Sequence, residues 1–445
     1  MNTAPRHRTG NLHQSSRASA RIGPLVATHD PALVLDVDAL LDDRTRGIIV
    51  CCGSGGVGKT TSSAALALRA AERGRKVVVL TIDPARRLAQ SMGIEALDNT
   101  PRPVPGLRWA PGFEPDGVGV GGSAGEGAPR MDAMMLDMKR TFDEVVQSQA
   151  TPGKAQQILD NPFYIAVSSS FAGTQEYMAM EKLGQLDQDA RRTGRWDLIV
   201  VDTPPSRSAL DFLDAPERLS SFLDGRFMKL LIAPARGPAR LMTAGFGLVT
   251  NAVTKIIGAQ VLQDMKAFVA AFDTLFGGFR QRAQRTFELL QDRRTAFLVV
   301  AAPEPDALRE AAYFVERLRQ EQMPLAGLVI NRASSSPAGD LSANASMAGV
   351  EKLRSLGEDH SLAAGLLRLH ADRKVVVERE QRLAGRFATS HPDVPTAVLP
   401  ALSTDVHDLD GLRRIGELLG AQIGDQGPQE PAERSAGRST NRPTS

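Results

Sequence analysis

The sequence contains very little cysteine, and this scarcity limits the chemistry that the chain can support. Only two of its 445 residues are cysteines, Cys51 and Cys52, and they are adjacent within an apolar run. Two neighbouring thiols cannot build a disulfide framework, and they are too few for a cysteine-based zinc or iron–sulfur site within one chain. We therefore expect both to act as small apolar side chains in a strand.

A charge imbalance and long apolar runs are also absent. The chain has 53 basic and 51 acidic residues, and no basic stripe is interleaved with aromatic residues, so nucleic acid is not an expected partner. No stretch reaches the roughly 18 apolar residues that cross a bilayer, and the N-terminus lacks the apolar segment of a signal peptide. We expect a cytoplasmic protein that reaches a membrane only through a partner.

Polar segments of low complexity lie at both ends of the part of the chain that is expected to fold. Residues 1–44 and 421–445 are predicted to be disordered tails, because they lack the apolar period that a packed element needs. Residues 45–420 then form the folded domain. Within it, the Gly-rich residues 111–130 predict a mobile surface insertion, and the Ser, Ala and Asn-rich residues 333–347 predict a loop.

Short β-branched runs alternate with longer helical patterns through this domain. The alternation predicts an α/β fold, in which helices cover a parallel sheet. Strands are predicted over residues 47–52, 77–82, 197–201, 297–301, 325–330 and 396–399. Because sites in such sheets lie at the carboxyl ends of strands, Asp83, Asp202, Pro303 and Asn331 are the positions of interest.

The segment over about 219–282 breaks this alternation and predicts an inserted helical subdomain. Its apolar residues, such as Val261, Met265, Phe268 and Phe272, follow helical steps of three and four. One interpretation is that these stripes pack against each other and against the sheet. The other is that they form an apolar groove for a hydrophobic ligand.

The most specific motif is a glycine-rich loop between a predicted strand and a helix predicted over residues 60–72. It reads Gly53-Ser54-Gly55-Gly56-Val57-Gly58-Lys59-Thr60-Thr61. Its glycines let the backbone aim N–H groups at phosphate oxygens, while Lys59 can reach the β- and γ-phosphates. Thr60 offers a hydroxyl to Mg²⁺, and the helix start adds the positive end of its dipole. The motif predicts binding of a nucleoside triphosphate.

Three polar residues at predicted strand ends extend this site. Asp83 follows the second strand, where a carboxylate can orient or deprotonate a water that attacks the γ-phosphate; the alternative is a helix N-cap. Asp202 ends an apolar run, which is typical of a carboxylate that holds Mg²⁺ directly or through water, although a cap is again the alternative. Asn331 carries an amide that can pair with a base.

At these positions the chain resembles the ArsA-type ATPases, which include the arsenite-pump ATPases of bacteria and the eukaryotic ATPases that target tail-anchored proteins. The resemblance covers about residues 45–420 and rests on Gly53 to Thr61, Asp83-Pro84-Ala85, Asp202-Thr203-Pro204-Pro205-Ser206, Leu210, Phe212-Leu213, Pro303-Glu304 and Asn331-Arg332. The paired ArsA-like ATPases of mycobacteria and other actinobacteria are the members that it resembles most.

The resemblance implies a deviant phosphate-loop ATPase that uses ATP and Mg²⁺. It implies a homodimer, or a heterodimer with a related ArsA-like ATPase, with nucleotides at the subunit interface. It also implies that Asp83 activates water in the first switch, that Asp202 lies near Mg²⁺ in the second, and that Asn331 contacts adenine.

The chain departs from the family pattern at two positions. Ser54 stands where this class carries a lysine that reaches the partner's nucleotide, and Ser208 stands where a histidine is typical. Because a cation that stabilises transition-state charge is a large catalytic term, a homodimer is expected to hydrolyse ATP slowly. The alternative is that any residue fits an ordinary phosphate loop at position 54. The two cysteines also cannot form an arsenite-binding triad or a structural Cys-x-x-Cys zinc site.

Two functions remain open from the sequence. In the first, ATP hydrolysis changes the state of the apolar helical subdomain, which binds a hydrophobic client or a membrane transporter. In the second, the chain is a weakly catalytic nucleotide-binding subunit that regulates a paired ArsA-like ATPase. A cell-division or plasmid-partition ATPase would carry a C-terminal membrane helix or a basic DNA face, and the sequence shows neither.

Overall fold

The computed structural model describes residues 33–82, 87–114, 128–162, 164, 165, 168, 174–204 and 281–422. Asp83, most of the predicted insertion over 111–130 and nearly all of the predicted helical subdomain over 219–282 lie outside the described residues. The described residues belong to two compact units. Residues 334–379 form the smaller unit, and the described residues on either side of them form the larger unit.

One eight-stranded sheet is the framework of the larger unit. Its strands are β1 (Ile48–Cys52), β2 (Lys76–Thr81), β3 (Arg102–Pro103), β4 (Arg130–Met135), β5 (Leu198–Asp202), β6 (Thr295–Ala301), β7 (Leu325–Ala333) and β8 (Thr396–Pro400). The order is β3-β4-β2-β5-β1-β6-β7-β8, and all neighbours are parallel except β3 and β4. Because β1 lies between β5 and β6, the loop that follows it opens near the middle of the sheet's carboxyl edge.

Helices surround the strands of this sheet and continue through the smaller unit. Their bounds are α1 (Val37–Asp42), α2 (Lys59–Glu72), α3 (Arg87–Ser91), α4 (Met138–Gln149), α5 (Pro152–Leu159), α6 (Thr174–Thr193), α7 (Pro305–Gln320), α8 (Ala343–Ser355), α9 (Ser361–Ser390) and α10 (Leu409–Gly420). A further helical segment covers residues 281–291. None of the described helices combines the length and the apolar composition that crossing a bilayer requires.

The alternation of side chains along β1 shows how the sheet is covered on both faces. Ile48, Val50 and Cys52 belong to one hydrophobic cluster, whereas Ile49 and Cys51 belong to the other. All five are buried, as expected for a parallel strand that helices cover on both sides. The predicted α/β fold with a parallel sheet is therefore confirmed.

The prediction of a disordered tail over residues 1–44 is wrong for residues 33–44. This segment contains α1, which begins after Asp36, and the Asp36 side chain accepts a hydrogen bond from a main-chain amide of the first turn. Asp38 accepts two hydrogen bonds from Arg69 of α2, each of 2.6 Å. A helix of only six residues has little stability of its own, so contacts with α2 hold it in place.

Other predicted elements shift by a few residues or were missed. Each of the six predicted strands is present, but β3 and β4 were not predicted. β7 continues to Ala333 through a register shift relative to β8, so Asn331 lies within this strand and not after it. The loop predicted over 333–347 is wrong at its end, because α8 begins at Ala343.

The smaller unit contains α8, a short 3₁₀ turn over Glu358–His360 and the part of α9 up to residue 379. The N-terminus of α8 is capped by Ser342, whose hydroxyl accepts a hydrogen bond from the main chain of the first turn. Within the unit, the Nε2 atom of His370 lies 2.9 Å from the Leu341 carbonyl oxygen, which ties α9 to the segment before α8.

Candidate nucleotide site

The loop over Gly53–Thr61 joins the carboxyl end of β1 to the start of α2. Gly53 has a φ of 148°, and a Cβ at this position would lie 2.0 Å from the Val300 carbonyl oxygen of β6. Gly58 has a φ of 92°, and a Cβ there would lie 2.2 Å from the Nδ2 atom of Asn331. The close approach of the loop to two neighbouring strands therefore requires glycine at both positions.

The N-terminus of α2 and the Lys59 side chain give the loop a positive potential. The helix is 14 residues long, and its N-cap, Gly58, makes no side-chain hydrogen bond to the first turn. The amides of that turn lack intrahelical acceptors and therefore favour an anion in front of the helix. Lys59 is buried, and its Nζ atom donates a 2.7 Å hydrogen bond to the Ser54 carbonyl oxygen. The ammonium group thus lies against the loop.

Asp202 joins the loop to the strands beside it. It is the last residue of β5 and is fully buried. Its Oδ2 atom accepts a 2.7 Å hydrogen bond from the Thr60 hydroxyl and a 2.9 Å hydrogen bond from the Thr81 hydroxyl. The structure therefore brings together Thr60 and Asp202, the two residues that were predicted to bind the metal ion.

Thr81 was not predicted to be a site residue, although its position in the sequence indicates one. It is the last residue of β2, and the parallel register pairs it with Asp202. A polar side chain at the end of a buried apolar strand is unusual enough to mark a site. Its position beside Asp202 follows once β2 and β5 are known to be neighbours.

The oxygen atoms of Thr60 and Asp202 fit a magnesium ion that is bound together with a nucleotide. Mg²⁺ prefers hard oxygen donors and commonly takes only one or two protein ligands, with phosphate and water supplying the others. Across the described ranges, no group of three or more His, Cys, Asp or Glu side chains is arranged to hold a metal ion by itself. A hydroxyl and a carboxylate beside a phosphate loop are the protein ligands expected for a magnesium ion that a nucleotide also binds.

Asn331 and its neighbour support the loop from β7. The Asn331 Nδ2 atom donates a 2.8 Å hydrogen bond to the Val57 carbonyl oxygen, and its Oδ1 atom accepts one from the Arg332 amide. Arg332 adopts a left-handed φ of 62°, and its guanidinium donates to the Gly56 carbonyl oxygen at 2.9 Å. Asn331 therefore lies at the predicted site, where its amide supports the loop; its contact with adenine remains a prediction.

The two cysteines are packed within β1, as the sequence indicates. Both are buried, and desolvation raises the pKa of each thiol to about 12. The main-chain oxygen of Cys51 accepts a 2.9 Å hydrogen bond from the Thr203 hydroxyl. This bond fixes the residue after Asp202 to the strand that precedes the phosphate loop.

Asp83 lies outside the described residues, as does Ser208, but the point at which the chain enters the Asp83 segment is described. The preceding residue, Ile82, donates a main-chain hydrogen bond of 3.0 Å to the Asp202 carbonyl oxygen. The last described residue before Asp83 is therefore held to the end of β5.

Comparison with known proteins identifies the family. A model of the anion-transporting ATPase family, ArsA, matches residues 46–347, which is well over half of the chain. The chain belongs to the anion-transporting ATPase family. The matched range begins just before β1 and includes the loop, Asp202 and Asn331. The resemblance to ArsA-type ATPases is thereby confirmed.

Individual relatives are distant in sequence and differ in length. The ATPase ARSA1 of Chlamydomonas reinhardtii is 29% identical over 332 residues, which cover 71% of this chain and 39% of that protein. The ATPase GET3 of Malassezia globosa is 25% identical over 315 residues, which cover 70% of this chain and 80% of that protein. An arsenical pump-driving ATPase of Escherichia coli is 30% identical over 174 residues, or 39% of this chain and 26% of that protein. The chain thus spans less than half of the first and third relatives.

Proposed function

We propose that the chain binds ATP together with Mg²⁺ and hydrolyses it to ADP and phosphate. The observation that carries this proposal is the 2.7 Å contact between the Thr60 hydroxyl and the Asp202 carboxylate. It lies at the N-terminus of α2, whose first residue is Lys59. Lys59 and the main-chain amides would bind the phosphates, while Thr60 and Asp202 would hold the metal ion, which neutralises phosphate charge when it is bound.

The proposed catalytic residue is Asp83. The chain leaves β2 through Ile82, which is hydrogen-bonded to Asp202, and the next side chain is a carboxylate. A carboxylate near the γ-phosphate can orient the attacking water and accept its proton. Lys59 contributes by stabilising the charge on the transferring phosphoryl group.

ATP turnover by the purified chain tests the proposal. With Mg²⁺ present, we expect phosphate release that falls by about 10²- to 10⁴-fold in Asp83→Asn, the range that general base catalysis contributes. Binding of a fluorescent ATP analogue should persist in this variant, because the phosphate loop is unchanged. Glu95→Gln is the matched control, since it neutralises an exposed carboxylate in the same part of the chain. Equal turnover by Asp83→Asn and the unsubstituted chain would contradict the catalytic assignment.

The second candidate is a weakly catalytic subunit that works in a pair, and Ser54 is the residue that favours it. A homodimer of this chain has a serine hydroxyl where this class of ATPase carries a cation. The test compares turnover by the chain alone with turnover in the presence of a related ATPase that copurifies with it. A fully active homodimer would contradict this alternative and would leave the first function standing.

Binding of a hydrophobic client or a membrane transporter by a cytoplasmic ATPase is the third part of the proposal. The helical subdomain predicted for this role lies outside the described residues, but α9 offers independent support. Leu362, Leu366 and Leu369 are 76%, 60% and 66% exposed and are spaced as neighbours on one helix face. Native mass spectrometry should detect bound lipid or a hydrophobic peptide. If the chain binds neither lipid nor a model transmembrane peptide supplied at millimolar concentration, the proposal of a hydrophobic client is contradicted.

A further inference from the structure

Arg332 has an unusual backbone conformation for a residue within a strand. Only two non-glycine residues among those that the structure describes have a positive φ, Gln322 at 56° and Arg332 at 62°. Gln322 follows the end of α7, a place where left-handed residues are common. Arg332 instead lies inside β7, where the register against β8 shifts between Ile330 and Ala333. A long side chain in this conformation is strained, so we expect a contact that compensates for the strain.

The left-handed turn allows two neighbouring residues of β7 to reach the phosphate loop together. The Arg332 guanidinium donates a 2.9 Å hydrogen bond to the Gly56 carbonyl oxygen, and the Asn331 Nδ2 atom donates a 2.8 Å hydrogen bond to the Val57 carbonyl oxygen. The Arg332 main-chain amide donates to the Asn331 Oδ1 atom at 2.9 Å, which fixes the orientation of that side chain. Two consecutive carbonyl groups of the loop are therefore held toward β7.

The same bonds set the direction of two main-chain N–H groups. Because a trans peptide is planar, the carbonyl group of one residue and the N–H group of the next point in opposite directions. The bond to the Gly56 carbonyl oxygen therefore turns the Val57 amide away from β7, and the bond to the Val57 carbonyl oxygen does the same for the Gly58 amide. Within the described part of the chain, neither amide has a hydrogen-bond acceptor, although Val57 is only 4% exposed. A bound anion would supply the acceptor that both amides need.

We propose that Arg332 is a positioning residue of the nucleotide site, which aims the Val57 amide at the phosphate oxygens of the bound nucleotide. The inference rests on the proposed function and names a further residue of the same site. Arg332 acts through the Gly56 carbonyl group and does not contact the nucleotide. The strained φ is a sign of this role, because glycine or asparagine would adopt it more readily but could not reach Gly56.

The expected effect is on affinity more than on the chemical step. An amide that is already aimed at the phosphates stabilises bound ATP and the transition state to the same extent. Loss of the Arg332 contact should therefore raise KM for ATP by about three- to tenfold, the worth of roughly one hydrogen bond. It should leave kcat within about twofold of the unsubstituted chain.

Arg332→Met removes the guanidinium and keeps an unbranched side chain. We expect the affinity for a fluorescent ATP analogue with Mg²⁺ to fall by about three- to tenfold. Arg332→Lys keeps a long side chain with a donor and should recover part of this loss. Arg309→Met is the matched control, because Arg309 is 76% exposed and pairs with Asp306, which lines the same cavity as Arg332. The control should bind the analogue as the unsubstituted chain does, and an Arg332→Lys variant that binds no better than Arg332→Met would overturn the inference.

Arg332→Asn separates the role of the side chain from that of the backbone. Asparagine tolerates the left-handed conformation, so this variant should melt at a higher temperature than Arg332→Met. Both variants lack the guanidinium and should bind the analogue equally weakly. If Arg332→Asn binds like the unsubstituted chain, so that affinity follows the melting temperature, the inference is wrong and only the backbone conformation matters.

Salt dependence distinguishes the carbonyl contact from a direct ion pair with a phosphate. The ratio of the affinities of the unsubstituted chain and Arg332→Met should be the same at about 0.05 and 0.5 M salt, because salt screens an ion pair between exposed charges but has little effect on a hydrogen bond to a carbonyl oxygen. A ratio that approaches one at high salt would assign Arg332 to the phosphate itself and would overturn the inference. A lower kcat at an unchanged KM would do the same, because it would place the effect of Arg332 in the transition state alone.

The same measurements separate this inference from the proposed function. If the unsubstituted chain binds the analogue but shows no ATP turnover, the proposed hydrolysis fails and the affinities of the variants still decide the role of Arg332. If the unsubstituted chain turns over ATP and Arg332→Met has the same KM, only the inference fails. If the unsubstituted chain does not bind the analogue, both fail.

Discussion

Gly53 is the residue of the phosphate loop whose substitution has the most predictable cost. Replacing it by alanine imposes two penalties. The φ of 148° is a conformation that side chains rarely adopt, which costs about 1–3 kcal/mol. The new Cβ would also lie 2.0 Å from the Val300 carbonyl oxygen, more than 1 Å inside an ordinary carbon–oxygen contact of about 3.3 Å.

The clash cannot be relieved cheaply, because Val300 lies in β6, which is paired with β1 on one side and β7 on the other. Overpacking of this kind costs about 1–3 kcal/mol, so Gly53→Ala is expected to lower the free energy of unfolding by about 2–6 kcal/mol in total. Gly56→Ala is the matched control: its φ is 76°, but a Cβ there meets nothing within 4 Å. It should incur only the backbone cost.

Urea unfolding of the nucleotide-free protein, followed by circular dichroism, measures the difference. We expect the unfolding midpoint to fall clearly further for Gly53→Ala than for Gly56→Ala. Equal midpoints for the two variants would refute the reasoning, because they would show that β6 yields to the new methyl group at no cost.

Three other predictions follow from the described contacts. Asp202→Asn keeps the acceptor for the Thr60 hydroxyl but loses the charge that attracts a cation. It should weaken binding of an ATP analogue by about tenfold or more with Mg²⁺ present and much less with EDTA present. Equal weakening under both conditions would contradict the metal role of Asp202. Arg75→Met removes a side chain that is 1% exposed and donates to one carboxylate and several carbonyl oxygens, and it should cost about 3–5 kcal/mol in urea unfolding. Burial raises the pKa of Tyr164 and Tyr177, so both should stay protonated in the folded protein at about pH 11. The unfolded chain ionises them at this pH, so the free energy of unfolding should fall as the pH rises. Ultraviolet difference spectra should show at most one phenolate of the three tyrosines before unfolding.

The sequence was sufficient for the loop and its flanking elements because their signals are local. The run over 47–52 is continuously apolar, the glycines are at fixed spacing, and the Ala-rich helix starts within one residue of the predicted position. Asp202 was found in the same way, as the polar end of an apolar strand. These elements carry their own conformational preferences and need no knowledge of their neighbours.

Elements that depend on distant partners were missed. β4 reads Arg-Met-Asp-Ala-Met-Met, which is poor in β-branched residues, and it becomes a strand because β2 pairs along its whole length. α1 is held by the ion pair between Asp38 and Arg69, 31 positions apart. The hydrogen bond from Thr81 to Asp202 forms because β2 and β5 are neighbours in the sheet. The spacing of residues along the chain does not reveal which strands are neighbours.

The packing of Cys51 and Cys52 within β1 makes the protein convenient for spectroscopic labelling. Their buried thiols, with pKa values raised to about 12, should not react with maleimides at neutral pH, and the chain has no other cysteine. A single cysteine introduced on an exposed helix would then be the only reactive thiol without any need to remove the native pair. Fluorophores placed in this way on two copies of the chain could follow subunit association in real time.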